Sequence, residues 1–244
     1  MKASILSFFI CIFLVGIQFL PASSQSLVAH WKFDETVGTI AKNSVKDSPS
    51  GVLSLFPKDN SQWIEGKVNG AIKFDGVDDF ISIPSFPYSA KGKFTIMFWY
   101  NCLDNHGEHY RYIFSHGGRK NWEQNSVFIY FSRASTQRTR LMDQNDEATD
   151  TYLDLPIADK APADGAWHHF ALTTSSEGTL IYIDGKKTGT LIGGGDPMKP
   201  TTNIVLGSRN DKMDTRYYDG KLDDLRIYDY TLSEEQIREA CKCF

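Results

Sequence analysis

Beyond its first twenty residues this chain has no long apolar run and no Asn-x-Ser/Thr sequon, and cysteine is scarce, at four in 244 residues. The missing apolar run argues against a second membrane span, and the missing sequon argues against N-glycosylation. Catalytic signatures are absent too: there is no Gly-x-Ser-x-Gly, no His-Glu-x-x-His and no phosphate-binding glycine loop. Nor does any Glu-x-Asp or Glu-x-Glu occur. That same-face spacing would set two carboxylates about 5–5.5 Å apart for retaining glycoside hydrolysis. The nearest acidic cluster, Asp143-Gln-Asn-Asp146-Glu147, lies in an irregular polar stretch and lacks the glycine and final glutamate of an EF-hand. No enzymatic activity is expected.

The N-terminus, by contrast, has the pattern of a secretion signal. Lys2 supplies the positive start, and Ile5 to Leu20 is apolar apart from Ser7, Gly16 and Gln18. Ala22-Ser23-Ser24 then offers small residues for cleavage before Gln25. Residues 1–24 are read as a signal peptide and residues 25–244 as one secreted domain. The mature chain carries 25 basic against 30 acidic side chains, a balance of −5. This disfavours nucleic acid as a partner, and neither charge nor hydropathy suggests membrane insertion.

Removal of Cys11 with the signal leaves Cys102, Cys241 and Cys243, an odd number for an oxidising compartment. Cys241 shares an apolar helical stripe with Ile237 and Ala240, so a Cys102–Cys241 bridge is expected. Such a bridge would close a loop worth about 4–5 kcal/mol in chain entropy. Cys243 is then the leftover thiol, suited to a disulfide-linked dimer; the swapped pairing stays open at this level.

Strand patterns run from Leu27 to Tyr228. Leu27, Ala29, Trp31 and Phe33 alternate against His30 and Lys32, and Ala71–Phe74 and Phe80–Ile83 flank an Asp-Gly turn. Phe94–Tyr100 and Val127–Phe131 are nearly continuous apolar runs, as in strands covered on both faces. Thr179–Ile183 enters Asp184-Gly185, a type I′ hairpin signal that requires positive φ at both residues. Stretches 101–125, 133–163 and 193–202 are the least regular. At the C-terminal end, Ser233 and Gln236 form a capping box, Leu232 and Ile237 a hydrophobic staple, and Glu234 and Glu235 suit the positive helix end. The pattern predicts an all-β, two-sheet antiparallel sandwich with a short C-terminal helix.

Four blocks then resemble, in order, the laminin-G-like, concanavalin A-type jelly roll. They are Val28–Glu35, Gly70–Ile83, Trp167–Leu172 with Ile181–Gly185, and Gly220–Ile237. The resemblance implies a binding module for carbohydrate or matrix components. It also implies a calcium ion between the first strand, the loop after it and the last strand, with Asp34, Glu35, Asn43, Asp47 and Asp223 as matching ligands. Hard carboxylate and carbonyl oxygens suit Ca²⁺. Family members often carry an Asp-Ser-Ser-Gly-Asn-like loop, whereas this chain has Asn43-Ser44-Val45-Lys46-Asp47, without the glycine and with an added positive charge.

For the ligand itself, sugar recognition combines an aromatic face with fixed polar groups. Trp122, in the polar run Lys120–Asn125, is the candidate stacking platform, with Arg133, Arg140 and Tyr217 beside it. Arginines in such a set suit sulfated or sialylated glycans through bidentate contacts. Tyr110 and Tyr112 share a strand face and read as sheet-surface or core residues, and adjacent His168 and His169 must point to opposite faces. His106, Glu108, His109 and His116 could be imagined as a zinc set, but their glycine-rich setting does not promise fixed tetrahedral geometry. The leading expectation is a lectin-like module recognising a glycan or extracellular-matrix component. The alternative is a structural matrix protein, in a mineralised matrix for example, assembling through protein contacts; a glycan-acting hydrolase comes third.

Overall fold

The computed structural model describes residues 26–88, 92–103, 110–117, 127–131, 137–141, 152–154, 162–191, 202–209 and 216–242. In chain order the strands are β1 (Leu27–Trp31), β2 (Ile40–Ala41), β3 (Gly51–Ser54), β4 (Trp63–Glu65), β5 (Gly70–Asp75) and β6 (Phe80–Ile83). They continue with β7 (Phe94–Asn101), β8 (Arg111–His116), β9 (Val127–Phe131), β10 (Gln137–Leu141) and β11 (Tyr152–Asp154). The last are β12 (His168–Ser175), β13 (Gly178–Ile183), β14 (Lys186–Leu191), β15 (Ile204–Leu206) and β16 (Asp219–Tyr228), before helix α1 (Glu234–Lys242).

Two antiparallel sheets result. The first runs β14-β13-β12-β7-β16-β5-β4, with β1 also paired to β16; the second runs β11-β10-β9-β8-β15-β6-β3-β2. Strand alternation supplies the core between them. Along β7, Phe94, Ile96, Phe98 and Tyr100 point inward to meet Trp31, Phe74, Phe114 and Phe170. Met97, on the other face, packs with Ala171, Tyr182, Leu232 and Ile237 beneath α1. This explains why the Phe94–Tyr100 run reads as apolar at every position: both faces of β7 are covered.

Local signals are realised at the atomic level. Asp184 and Gly185 have φ of 51° and 72°, as the hairpin requires. At α1, Ser233 Oγ accepts the Gln236 N–H at 3.2 Å, and Gln236 Oε1 accepts the Ser233 N–H at 2.8 Å. Replacing Ser233 with alanine is expected to cost about 1 kcal/mol, measured by urea denaturation; an unchanged midpoint would show that the staple alone fixes the helix start.

Two expectations are corrected, and the Asp-Gly turn is placed between the sheets. β1 ends at Trp31, and Phe33, though buried, adopts φ +56°, turning the chain so that Asp34 reaches Gly70. β5 and β6 lie in different sheets, so Asp75-Gly76 forms an inter-sheet corner. The stretch 133–163 contains β10 and β11, whose sequences Gln-Arg-Thr-Arg-Leu and Tyr-Leu-Asp lack an apolar alternation and depend on pairing at the sheet edge.

The expected Cys102–Cys241 bridge is not formed. Cys102 continues the inward-facing set of β7 into the inter-sheet core. Cys241 lies on α1, where it packs near Gly185 on the outer side of the same sheet. The apolar stripe read correctly as a packing surface, but it faces the outside of the sheet, and a disulfide cannot reach across. Cys243 lies outside the described residues.

Candidate functional site

Sheet alternation sets a second group of aromatics on the face of β8 and β9 that points away from the inter-sheet core. Tyr112, Phe128 and Tyr130 are buried there, with Tyr110 packed against them. Tyr112 and Tyr130 stack with centroids 4.8 Å apart, Phe128 meets Tyr112 edge-on at 6.0 Å, and Tyr110 meets Tyr130 edge-on at 5.5 Å. Two guanidinium groups lie on this cluster: Arg209, itself buried, is 5.6 Å from the Tyr112 centroid, and the half-buried Arg216 is 5.1 Å from that of Tyr110. Cation–π contact of this kind fixes a flexible cation in one place. The next strand adds Arg138 opposite Tyr130 and Arg140 opposite Phe128. Beyond it, Asp154 and Tyr152 complete the two rows. On this face Arg209 and Arg216 set positive charge against aromatic rings.

Of the sugar-contact candidates, Arg140 falls on this face by register. Tyr217 is buried nearby in sequence to Arg216, and its carbonyl accepts the Arg111 Nη1–H at 2.9 Å. Trp122 and Arg133 lie outside the described residues, in the chain segments that join β8 to β9 and β9 to β10. Tyr112 and Tyr130 were missed as a pair, because cross-strand stacking depends on a bulge between Tyr112 and Phe114 that the sequence does not announce.

The implied calcium set divides. A bulge in β16, with Asp224 at φ +53°, sends the adjacent acids to different neighbours. Asp224 pairs with His30 at 2.6 Å and with Arg226 at 2.8 Å. Asp223 is fully buried; its Oδ2 accepts the Val68 N–H at 2.7 Å, while Oδ1 has no hydrogen-bond partner. Burial pushes its carboxyl up to about 7, against the Val68 hydrogen bond, and the charges of Asp224 and Asp34 add to the rise. Asp34 Oδ1 accepts the Gly70 N–H at 2.9 Å. Glu35 Oε1 accepts the Lys42 N–H at 2.9 Å, and its buried Oε2 is unpartnered. A Cβ at Gly66 would sit 2.6 Å from Asp223 Oδ2, so only glycine leaves this cradle open. Glu35 and Asp223 thus each keep a buried oxygen without a partner, but Asp34, Glu35 and Asp223 do not bring their oxygens together as one set within 4.8 Å.

Asn43 and Asp47 are engaged differently. Asn43 Oδ1 accepts the N–H groups of His30 and Val45, both at 3.0 Å, and its Nδ2 donates to Pro49 O at 3.1 Å. Asp47 is exposed with φ +63° in the same turn. Both belong to the hydrogen-bonded turn that holds the loop against β1.

Histidines are structural among the described residues. His168 bonds to Asp184 at 2.8 Å and Asp164 at 3.1 Å; burial opposes its protonation, but these two carboxylates raise its pKa overall. His169 points the other way, against Trp99, and burial lowers it to about 4. His116 is buried beside Tyr88. His106, Glu108, His109 and the Asp143–Glu147 cluster lie outside the described residues. No helix among the described residues is long and apolar enough to cross a membrane.

These features define a two-sheet jelly roll of the carbohydrate-binding type. A family model described as the concanavalin A-like lectin/glucanases superfamily (Laminin_G_3) matches residues 75–238, and the chain belongs to that superfamily. Among characterised proteins it is similar to the sushi, von Willebrand factor type A, EGF and pentraxin domain-containing protein 1 of Rattus norvegicus and Mus musculus. Each match is 33% identical over 84 residues, covering 31% of this chain and 2% of the relative. Among solved structures it is similar to domain 4 of AbnA, a GH43 extracellular arabinanase from Geobacillus stearothermophilus, solved with arabinotriose. That likeness has a TM-score of 0.65 at 19% identity and covers 89% of this chain and 99% of that one. The receptor binding domain of botulinum neurotoxin C/D mosaic serotype also scores 0.65, at 14% identity, covering 89% of this chain and 51% of that one. Trypanosoma rangeli sialidase scores 0.58 at 14% identity, covering 88% and 32%.

Proposed function

We propose that this chain is a secreted, non-catalytic binding module that recognises acidic glycans of a matrix or cell surface. Its binding face is the aromatic–arginine surface of β8–β10, and the family resemblance adds a structural calcium for which Asp34, Glu35 and Asp223 are the candidate ligands. The observation that carries this reading is the ordered row of rings and guanidinium groups, Arg216 on Tyr110, Arg209 on Tyr112, and Arg138 and Arg140 in register with Tyr130 and Phe128. Buried rings hold the cations, and guanidinium groups provide the bidentate geometry that carboxylates and sulfates need. Trp122, in the β8–β9 connection, supplies the stacking surface. The signal pattern of residues 1–24 supports secretion. The arabinotriose complex of the similar arabinanase domain supports a sugar as ligand.

The test is glycan-array binding of the mature chain in calcium and in EDTA, followed by affinities for Arg140→Ala, Arg216→Ala and Trp122→Ala. Binding to sulfated or sialylated chains is expected, at least tenfold weaker in each variant with melting unchanged. EDTA is expected to lower the melting temperature more than the affinity. Binding confined to neutral glycans and indifferent to both arginines would overturn the acidic class. Absence of binding in either buffer would favour matrix assembly through protein contacts, checked by a Cys243-dependent dimer on non-reducing electrophoresis.

A further inference from the structure

The corner between the two sheets carries a second set of acids that neither the glycan face nor the Asp34–Asp223 cradle uses. Asp75 ends β5, and Asp78 and Asp79 precede β6. One carboxylate oxygen from each lies within 4.8 Å of the others. Three carboxylate oxygens this close can share one cation, and a set of hard oxygen donors suits calcium.

The buried member of the set is incompletely satisfied. Asp79 is 1% exposed; its Oδ2 accepts the Asp75 N–H at 3.0 Å, and its Oδ1 has no partner. A buried carboxylate oxygen without a donor is costly. Asp75 uses only Oδ1 for the turn, accepting the Val77 and Asp78 N–H groups at 2.8 and 3.4 Å. The half-buried Asp78 carboxylate accepts no hydrogen bond among the described residues.

Packing fixes the corner. Arg111 Nη1 donates to Gly76 O at 3.1 Å and Tyr217 O at 2.9 Å, pinning the turn to the start of β16. Asp219 stands across the ladder from Asp75, and a Cβ at Gly76 would lie 2.7 Å from Asp219 Cβ. Like charges facing one another across a strand pair are unfavourable, and Arg111 is the cation seated on this turn.

We propose that Asp75, Asp78 and Asp79 form a calcium site at the inter-sheet corner, independent of Asp34, Glu35 and Asp223. The two sites lie at opposite ends of β5, about 16 Å apart for five residues of strand. This corner joins one sheet to the other, so the ion would clamp the sandwich.

Calcium alone is the probe, with stoichiometry by calorimetry and melting temperature in calcium and EDTA at pH 7.5, on the secreted chain. Asp223→Asn is expected to keep a calcium-dependent rise in melting temperature, which Asp78→Asn in that background abolishes. Asp78→Asn alone is expected to bind one calcium fewer than the parent chain. Asp79→Asn is expected to weaken the corner site at least tenfold. Asp78→Asn keeps the assay interpretable should Asp79→Asn misfold, because the Asp78 side chain holds no part of the turn. Equal calcium stoichiometry in the parent, Asp78→Asn and Asp79→Asn would overturn the proposal, as would no calcium response in the Asp223→Asn chain. Loss of glycan binding with the corner intact would count only against the glycan reading.

Discussion

Gly207→Ala is expected to destabilise the fold by about 2–5 kcal/mol, a large share of the roughly 5–15 kcal/mol that holds a domain together. Gly207 follows β15 with φ +82°, a conformation that costs an L-residue about 1–2 kcal/mol. A Cβ there would also overlap the Phe74 ring and lie 3.1 Å from Asp79 O. Phe74 cannot yield readily, since Phe56 and Tyr218 pack its ring with centroids 5.3 and 5.8 Å away. Overpacking of this kind adds about 1–3 kcal/mol. The backbone cannot move aside either: the Gly207 N–H donates to Ile113 O at 3.0 Å, and its carbonyl accepts the Tyr218 N–H at 2.8 Å. Urea denaturation of the variant beside the parent measures the effect. A loss below 1 kcal/mol would show that the corner relaxes, and that the rigidity argued for the Asp75–Asp79 turn is overstated.

Legibility in the sequence followed the range of the interaction concerned. The helix start was written within six residues, because capping box and staple are local, and each atom falls where Ser233, Gln236, Leu232 and Ile237 place it. The Asp184-Gly185 turn was legible for the same reason. Phe94–Tyr100 announced a doubly covered strand but not which element covered it, since that depends on α1 returning over the sheet. β10 and β11 were invisible, because Arg138 and Arg140 are strand residues by virtue of their partners in β9.

The sites divide in the same way. Asp223 and Asp34 converge through residues far apart in the chain, and only the resemblance pointed to them. Family pattern also nominated Asn43, whose amide the structure uses for the turn. The Asp75–Asp79 corner had a local signal, three acids in five residues, but its meaning required knowing that Asp79 is buried with an oxygen unpartnered. The cysteines show the limit of stripe reasoning: a shared helical face says that Cys241 packs, not on which side of the sheet it does so.

Acid is expected to act on the fold through His116, and the difference between the parent and His116→Gln isolates the effect. His116 is fully buried, with Nδ1 2.8 Å from Tyr88 Oη and Nε2 3.4 Å from Ser85 Oγ. Burial drives its pKa down to about 3, and the Thr202 backbone hydrogen bond only partly opposes this. In the unfolded chain the imidazole takes its proton near pH 6.5, whereas the folded chain refuses it until about pH 3. The unfolded state therefore binds more protons between those values, and stability falls as pH drops through that window, by up to about 1.4 kcal/mol per pH unit from this residue. His169, lowered to about 4, acts in the same direction, while Asp79 and Asp223, both raised to about 7, favour the folded state as pH falls from 7 towards 4. These opposing contributions flatten the parent's own profile, so the parent alone is a poor reporter. Glutamine at 116 keeps hydrogen-bonding groups near Tyr88 and Ser85 but cannot titrate. The stability of His116→Gln relative to the parent should thus be lowest at pH 7 and should recover by several kcal/mol at pH 4. Urea denaturation at half-unit pH steps in EDTA measures it. Parallel profiles from pH 7 to 4 would mean that His116 gains its proton in the folded state, and that the buried Tyr88–His116 pair opens to water before the sandwich unfolds.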